Sequence, residues 1–314
     1  MKAIVFGGTG FIGSHVVEQL KLSGHEVTAA VRETSNTTFL KKLGVNIVKI
    51  DFQNHSLIGH AIKGHTVVFN CTADPNFGIY KDINDSEEII LAKKLIKAAA
   101  KNGANRFIQL STIVVYDFRT EEPIDELYET KPDYPIQRFK LEKDQVIQEI
   151  GLKEGISTII LRPASTIGPR DAKSFFSRLL NAHFNDQYPL ANNGKSKVSL
   201  IDTRDIGRCM VFLGDTKEKN IDGVYLLKGF DTTWQELKKE IDRAVGRTAK
   251  IVPIPDHDHS FASKTLTVNR IWNDHKIRRL GFETKYTLSE AVQMSFDELL
   301  WSYIITKQTK KTTD

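Results

Sequence analysis

At 314 residues the chain is long enough to bury a large core, and its length suits one larger and one smaller domain. Hydrophobic residues make up 40% and charged residues 26%, the ordinary proportions of a globular protein, and these proportions exclude wholesale disorder. The net charge of +5 comes from basic residues that are spread among acids, so it does not indicate a nucleic-acid-binding protein.

Short apolar runs alternate with helical patterns through the first two-thirds of the chain. The runs are rich in Val, Ile, Phe and Ala and lack polar alternation, as expected of strands buried on both faces. The predicted strands are 2–6, 26–31, 46–50, 66–71, 105–110 and 157–161. The predicted helices are about 11–23, 36–43, 54–63, 85–102 and 135–150. This alternation predicts an α/β fold with a doubly wound parallel sheet.

The pattern loosens after Pro163. Residues 164–198 are rich in loops and contain one predicted helix, Ser174 to His183. The later predicted elements are helices at Asp202 to Leu213, Thr233 to Val245 and 286–304, and a strand at 224–227. We therefore expect a second, smaller and discontinuous α/β domain. The predicted division is 1–163 with about 199–228 for the first domain, about 164–198 with 229–306 for the second, and 307–314 as a flexible basic tail.

Several features predict a cytoplasmic protein that contacts neither a membrane nor nucleic acid. No apolar run approaches the roughly 18 residues that a membrane helix needs. Residues 1–6 show neither the basic region nor the cleavage site of a signal peptide. The two cysteines, Cys71 and Cys209, stand among apolar neighbours, which favours reduced, buried thiols in a reducing compartment.

A glycine-rich turn, Gly-Gly-Thr-Gly-Phe-Ile-Gly at residues 7–13, follows the first predicted strand directly. Gly7 permits the tight turn, Gly10 lets the backbone approach a pyrophosphate, and Gly13 allows close packing of the next helix. The pyrophosphate would rest at the positive end of that helix. The turn therefore predicts a dinucleotide-binding site on a Rossmann-type domain. Its predicted cofactor-binding residues are Gly7, Thr9, Gly10, Phe11, Ile12 and Gly13.

The end of the second predicted strand indicates which dinucleotide is bound. A site that prefers NAD offers a carboxylate to the ribose, whereas the 2′-phosphate of NADP calls for a nearby arginine. Val31 stands where the acid would be, and Arg32 follows it. Further donors follow at Thr34, Ser35 and Asn36. We favour NADP(H); the alternative is that Arg32 is solvated and that Glu33 serves the ribose of NAD.

Further motifs follow the turn in a definite order. They are Asp51-Phe52, the Ser-Thr-Ile-Val-Val-Tyr segment at 111–116, Arg162-Pro163, Gly168-Pro169-Arg170 and the Asp-Thr-Arg-Asp-Ile segment at 202–206. Over nearly the whole chain, this set resembles the extended short-chain dehydrogenase/reductase family, which includes NAD(P)-dependent sugar-nucleotide epimerases and dehydratases. The Val31-Arg32 ending most resembles the dihydroflavonol reductase and 3β-hydroxysteroid dehydrogenase branch.

The resemblance implies roles for matching positions. It places Thr112 as the hydroxyl that hydrogen-bonds the reacting oxygen; the alternative is a hydroxyl that only caps the end of a strand. It also implies that Lys140 binds cofactor ribose. The remaining implied cofactor contacts are Asp51 and Phe52 at the adenine, Thr72 and Ala73 along the ribose and phosphate path, and Pro163 to Ser165 beside the nicotinamide.

The family's chemistry depends on a tyrosine four residues before a lysine, because one helical turn lets the ammonium lower the pKa of the phenol. Two registers compete here. In the register that we favour, Lys140 is the lysine and Ile136 stands at the tyrosine position. In the other register, Tyr134 is paired with Arg138. Because isoleucine cannot ionise, the favoured register lacks the standard proton shuttle. Tyr134 or Tyr116 then offers a substitute phenol, or water or the substrate supplies the proton.

Three functions remain open. The first is an NADP(H)-dependent oxidoreductase that acts on a carbonyl or secondary alcohol of a small-molecule substrate. The second is a dinucleotide-binding sensor or regulatory protein without redox turnover, and the third is a nucleotide-sugar epimerase or dehydratase. We expect no functional metal, because the Asp-His-Asp-His run at 256–259 has no second cluster to complete a ligand set. We expect a monomer or a homodimer.

Overall fold

The computed structural model describes residues 1–74, 82, 85–171, 173–255 and 257–311, with side chains up to Leu300. The strands are β1 Lys2–Phe6, β2 Glu26–Val31, β3 Asn46–Lys49, β4 Val67–Asn70, β5 Arg106–Leu110, β6 Ser157–Pro163, β7 Ser165–Ile167, β8 Tyr188–Leu190, β9 Lys197–Asp202, β10 Gly223–Leu227, β11 Phe230–Thr233 and β12 Ile251–Pro253. The helices are α1 Phe11–Leu22, α2 Thr38–Lys42, α3 His55–Ile62, α4 Glu87–Lys101, α5 Pro135–Glu154, α6 Phe175–Phe184, α7 Thr203–Asp215, α8 Trp234–Val245, α9 Phe261–Thr267, α10 His275–Arg279 and α11 Leu288–Lys311.

A seven-stranded sheet forms the centre of the molecule, in the order β10-β6-β5-β4-β1-β2-β3. Each neighbouring pair in it is parallel. The predicted doubly wound parallel sheet is therefore confirmed, and its strands end within two residues of the predicted bounds. The strand order reverses between β1 and β4, and ligands of open parallel sheets bind outside the carboxyl ends of the strands at such a switch point.

Helices cover both faces of this sheet. On one face α1 packs against α7, and on the other α3, α4 and α5 pack side by side. The α1–α7 contact is close because α7 has a glycine there: a Cβ on Gly207 would lie 2.8 Å from the carbonyl oxygen of His15. Apart from the edge strands β3 and β10, the strands between the helix layers are almost wholly buried, which explains their continuous apolar sequence.

The smaller part of the molecule holds a three-stranded sheet, β11-β9-β7, and a parallel pair, β12-β8. Its core includes Phe176, Tyr188, Trp234 and Leu237 from the strands and helices around these sheets. The region 164–198, predicted to be mostly loop, contains β7, β8 and the start of β9. Residues 199–202, assigned from the sequence to the dinucleotide-binding domain, belong to β9 and hence to the smaller sheet.

The last helix, α11, begins at Leu288 and ends at Lys311, beyond the predicted end at 304. It takes in the basic run Lys307 to Lys311, which the sequence predicts to be a tail. Across the described ranges, no helix combines the length and apolarity that crossing a bilayer requires. Both cysteines are free; Cys209 is buried as predicted, whereas Cys71 is only half-buried.

Candidate functional site

The glycine-rich turn lies at the carboxyl end of β1 with its backbone tightly folded. Gly7 has a φ of 81°, and a Cβ there would lie 2.6 Å from the carbonyl carbon of Cys71. The Gly10 N–H donates to the Gly7 carbonyl over 3.0 Å, which closes the turn. A Cβ on Gly13 would overlap the same Gly7 carbonyl oxygen. Glycine is therefore required at both ends of the turn, for backbone conformation at Gly7 and for space at Gly13.

The amino end of α1 is arranged to receive an anion. Its N-cap residue is Gly10, which has no side chain that could cap the helix. The first turn of α1 contains no acidic residue. The positive end of the helix dipole and its free N–H groups therefore face outward, where Thr9 and Gly10 are exposed. This geometry fits a diphosphate, as predicted from residues 7–13; Phe11 and Ile12 begin the helix and are half-buried.

A cleft of about 450 Å³ opens beside this turn. Of the residues predicted to hold the cofactor, it is lined by Thr9, Gly10, Phe11 and Asn36. Two cationic side chains that the sequence analysis did not assign to the cofactor site, Lys42 and Arg170, also line it. Lys42 belongs to α2 and Arg170 follows β7, so their distance in sequence from the glycine-rich turn concealed them.

The end of β2 carries the group predicted to select the dinucleotide. Arg32 and Thr34 are exposed, and Ser35 is half-buried. Glu33, the alternative ribose ligand, forms an ion pair with Lys49 over 2.7 Å at the exposed edge strand β3. Its carboxylate is thus already engaged away from the turn.

The expected adenine and ribose contacts lie at neighbouring strand ends. Asp51 is exposed and accepts the Gln53 N–H over 2.9 Å, and the Phe52 ring lies 5.8 Å from that of Phe6. Beyond β4, the Thr72 hydroxyl donates to Asn70 Oδ1 over 2.7 Å, and Ala73 is exposed. Because β1, β4 and β3 end at one edge of the parallel sheet, these residues flank the glycine-rich turn.

Thr112 follows β5 at the same edge and begins a short 3-10 helix, Ile113–Val115. Its Oγ1 accepts the Val114 N–H over 3.1 Å, so it does cap the segment, and the hydroxyl hydrogen remains able to bond a substrate oxygen. The preceding Ser111 donates to the buried Asp144 carboxylate of α5 over 2.7 Å. This bond ties the Thr112 segment to α5. Pro163 ends β6, the strand next to β5 in the central sheet, and Ser165 begins β7 of the three-stranded sheet.

Helix α5 begins at Pro135, so Ile136 lies in its first turn and Lys140 one turn later. Ile136 is half-buried. The Arg138 guanidinium of the competing register is exposed and donates to the Asp133 carbonyl over 3.3 Å. In the favoured register, the residue one helical turn before Lys140 is therefore Ile136, which has no ionisable side chain.

Both substitute phenols are engaged elsewhere. The Tyr134 hydroxyl donates to the His259 carbonyl over 2.7 Å, and its ring packs edge-on against Phe118 and Phe261. Burial, with Asp133 and Asp258, raises the pKa of Tyr134. The Tyr116 hydroxyl is buried and lies 3.0 Å from Arg162 Nη1, which donates to it. Burial raises the pKa of Tyr116 and outweighs the opposing effect of Arg162.

Lys140 itself forms an ion pair with Glu88 of α4, at 2.6 and 2.8 Å. Lys143, one turn further along α5, binds the same carboxylate over 2.6 Å. Burial would raise the pKa of Glu88, but the two ammonium groups outweigh it and lower that pKa to about 2. Burial lowers the pKa of Lys140, and the positive charge of Lys143 adds to that effect. We refer to Glu88, Lys140 and Lys143 as the Glu88 cluster.

No group of three or more His, Cys, Asp or Glu side chains suited to a metal occurs among the residues with described structure. Asp256 of the Asp-His-Asp-His run lies outside the described residues. His257 and His259 are exposed, and Asp258 accepts the Ser260 N–H over 2.9 Å.

Comparison with known proteins decides the family. The NAD dependent epimerase/dehydratase family matches residues 3–226. The chain belongs to this family. The resemblance to extended short-chain dehydrogenases is thereby confirmed, and with it the expectation of an enzyme of the nicotinamide-dependent kind.

Curated relatives of this family member have different substrates in their names. UDP-glucose 4-epimerase of Rhizobium meliloti is 25% identical, with 94% of this chain and 95% of that protein covered. A putative dihydroflavonol 4-reductase of Synechocystis is also 25% identical, with 64% of this chain and 60% of that protein covered. Among solved structures, the UDP-glucuronic acid 4-epimerase of Bacillus cereus in complex with NAD gives a TM-score of 0.82 at 22% identity. That match covers 96% of this chain and 100% of the other, and it shows a shared fold.

Proposed function

We propose that this family member is an NADP(H)-dependent oxidoreductase that reduces a carbonyl or oxidises a secondary alcohol. The observation that carries the proposal is the juxtaposition at the carboxyl edge of the sheet. The diphosphate-binding turn after β1 and the Thr112 hydroxyl after β5 lie on either side of β4. Lys140 reaches this edge from α5, which packs against the Thr112 segment.

The glycine-rich turn fits the diphosphate of a nicotinamide dinucleotide. It lies so close to the start of α1 that a Cβ on Gly13 would overlap the Gly7 carbonyl oxygen, and this closeness brings the backbone N–H groups together. When bound, the nicotinamide supplies or accepts the hydride. The N–H groups of residues 7–13 would hold the diphosphate, and Lys140 would donate to ribose hydroxyls. Thr112 donates its hydroxyl hydrogen to the substrate oxygen and thereby orients the reacting carbon. With Ile136 at the tyrosine position, the proton reaches that oxygen from water or from the substrate itself.

Two observations support NADP(H) over NAD(H). Arg32 is exposed at the end of β2, where a guanidinium can bind a 2′-phosphate with two hydrogen bonds. Glu33 pairs with Lys49 at the surface, which supports a position for its carboxylate away from the ribose. The solved relatives named above carry NAD, so cofactor choice is a point at which this chain would differ from them.

The test is a comparison of NADPH and NADH binding by titration calorimetry, followed by turnover assays. Arg32→Met should weaken NADPH binding by about tenfold, because it removes the guanidinium that binds the 2′-phosphate. NADH has no 2′-phosphate, so its binding should be unchanged. Steady-state NADPH oxidation with a panel of aldehydes and ketones then tests the reaction. Binding of neither dinucleotide at millimolar concentration would refute the proposal.

A second candidate is a dinucleotide-binding protein without redox turnover. It is favoured by a specific observation: Tyr134, Tyr116 and Lys140 each have a partner within the protein, and Ile136 cannot transfer a proton. Tight NADPH binding without turnover on any carbonyl substrate would support it over the first proposal.

A third candidate is a nucleotide-sugar epimerase or dehydratase, which the full-length match to a UDP-glucose 4-epimerase favours. Such a protein must also hold a nucleoside diphosphate. A rise in melting temperature with UDP or dTDP, added to protein already saturated with dinucleotide, would distinguish this candidate from the other two.

A further inference from the structure

Glu88 is a buried carboxylate at the meeting point of two helices and a strand exit. It lies in the first turn of α4, and its side chain is only 6% exposed. Its Oε1 accepts from Lys140 Nζ over 2.8 Å and from Lys143 Nζ over 2.6 Å. Its Oε2 accepts from Lys140 Nζ over 2.6 Å and from the Asp74 N–H over 3.0 Å.

The partners of Glu88 belong to two separate segments that are proposed to contact the cofactor. Lys140 is the lysine proposed to bind ribose, and it comes from α5. Asp74 directly follows Thr72 and Ala73, the segment after β4 that is proposed to line the ribose and phosphate path. One carboxylate therefore links the lysine to the backbone of the strand exit, across α4.

The buried charges of the Glu88 cluster make the position of the Lys140 ammonium depend on Glu88. The side chains of Lys140 and Lys143 are 12% and 4% exposed, so both ammonium groups have lost most of their water. A buried charge that loses its partner is strongly destabilised, and a buried ammonium held by a carboxylate is confined to one position. Glu88 thus fixes where the Lys140 ammonium lies, and Lys143 leaves the cluster with one excess positive charge.

We propose that Glu88 is a positioning residue for the nicotinamide half of the dinucleotide. It holds the Lys140 ammonium and the Thr72 to Asp74 backbone in the arrangement that receives the ribose next to the nicotinamide. This inference rests on the proposed dinucleotide-binding function. It adds that the affinity for that half of the cofactor depends on a side chain that does not touch the cofactor.

The test uses Glu88→Gln and two probes, NADPH and ADP, in titration calorimetry. ADP carries only the adenosine and diphosphate, the half of the cofactor that the glycine-rich turn is proposed to bind, and it lacks the nicotinamide ribose that is proposed to bind Lys140. Glu88→Gln should lower the affinity for NADPH by about tenfold, the typical effect of losing a charged hydrogen bond, and change that for ADP by less than about twofold. Glu87→Gln is the matched control, since the adjacent Glu87 is exposed, and it should change neither affinity.

An equal fall in affinity for NADPH and ADP would mean that Glu88 only maintains the fold. An unchanged NADPH affinity would mean that Glu88 does not position Lys140. Either result would overturn the inference. Failure of the unsubstituted protein to bind NADPH and NADH would instead refute the proposed function.

A second pair of variants guards against misfolding of Glu88→Gln, which removes the carboxylate that pairs with two buried ammonium groups. Glu88→Gln combined with Lys143→Met removes one charge of each sign and keeps the net charge of the cluster. It should show the same selective loss of NADPH affinity. Lys143→Met alone keeps the Lys140–Glu88 pair and should retain NADPH affinity within about twofold. A tenfold loss in Lys143→Met would contradict a role that acts through Lys140.

Discussion

Gly13 determines how closely α1 approaches the turn that precedes it. We expect Gly13→Ala to abolish measurable NADPH binding, because the added methyl group would overlap the Gly7 carbonyl and push the helix end away from the diphosphate. The same overlap should lower the free energy of unfolding by about 1–3 kcal/mol. NADPH titration calorimetry and urea unfolding measure the two effects.

The control for this substitution is Gly59→Ala in α3. Its Cβ would meet only the side-chain nitrogen of Asn102, at 3.3 Å, and alanine favours a helix over glycine. It should leave NADPH affinity unchanged and alter stability by less than about 1 kcal/mol. If Gly13→Ala bound NADPH as well as Gly59→Ala does, the diphosphate would have to lie elsewhere.

The contacts of Tyr134 favour a structural role over that of a proton donor. Tyr134→Phe keeps the ring against Phe118 and Phe261 but loses the hydrogen bond to the His259 carbonyl. We expect a loss of about 1 kcal/mol in unfolding free energy and turnover within about twofold of the unsubstituted protein. Turnover that vanished in this variant, measured by NADPH oxidation, would show instead that the phenol is the substitute acid.

The sequence was informative for those residues whose role depends on neighbours along the chain. The glycine-rich turn and Thr112 follow buried strands directly, so their position at the sheet edge could be predicted. Glu88 could not be recognised, and Arg170 was noted only as part of a motif and not as a residue of the cleft, because the partners of both are far away in sequence. Glu88 lies on a helix with other charged residues, and only packing of α4 on α5 buries it.

Among the elements, the α4–α5 contact contains a cluster of three buried charged groups, and it should make stability depend on pH. The pKa of Glu88 in the folded protein is about 2, below the ordinary value of 4.5. The stabilisation from its two ion pairs is therefore complete above pH 4.5 and is lost as the pH falls through 2.

We expect Glu88→Gln to be less stable than the unsubstituted protein at pH 7, and the difference to shrink as the pH falls from 4.5 to 2. Urea unfolding at pH 7 and at pH 3 measures it. Glu87→Gln, which alters an exposed carboxylate, should show no such convergence. A constant difference between Glu88→Gln and the unsubstituted protein at both pH values would contradict a depressed pKa at Glu88.

Long elements with a clear period were predictable, and short ones were not. The strands of the central sheet are continuous apolar runs, and α4 and α8 start at residues with capping side chains, Ser86 and Thr233. β7, β8 and β12 each have three residues, too few to show any alternation. They form because distant segments meet, as when β8 pairs with β12, and this pairing leaves no local trace.

For the molecule as a whole, cofactor binding should appear as added stability. A ligand that binds only the folded state, at a concentration about 100 times its dissociation constant, stabilises it by about 2.7 kcal/mol. We expect a larger rise in melting temperature with NADPH than with NADH at equal concentration, measured by differential scanning calorimetry. Arg32→Met should make the two rises equal; a larger rise with NADH in the unsubstituted protein would contradict the preference for NADPH.

The position of β10 has a consequence for how the chain becomes structured. This strand covers the outer side of β6, yet the chain forms the strands and helices of the smaller part before it returns to supply β10. During synthesis, β6 is thus exposed from the ribosome well ahead of its neighbour, with unpaired backbone groups that can recruit another chain. A nascent polypeptide halted between residues 163 and 223 should self-associate more readily than one released at full length.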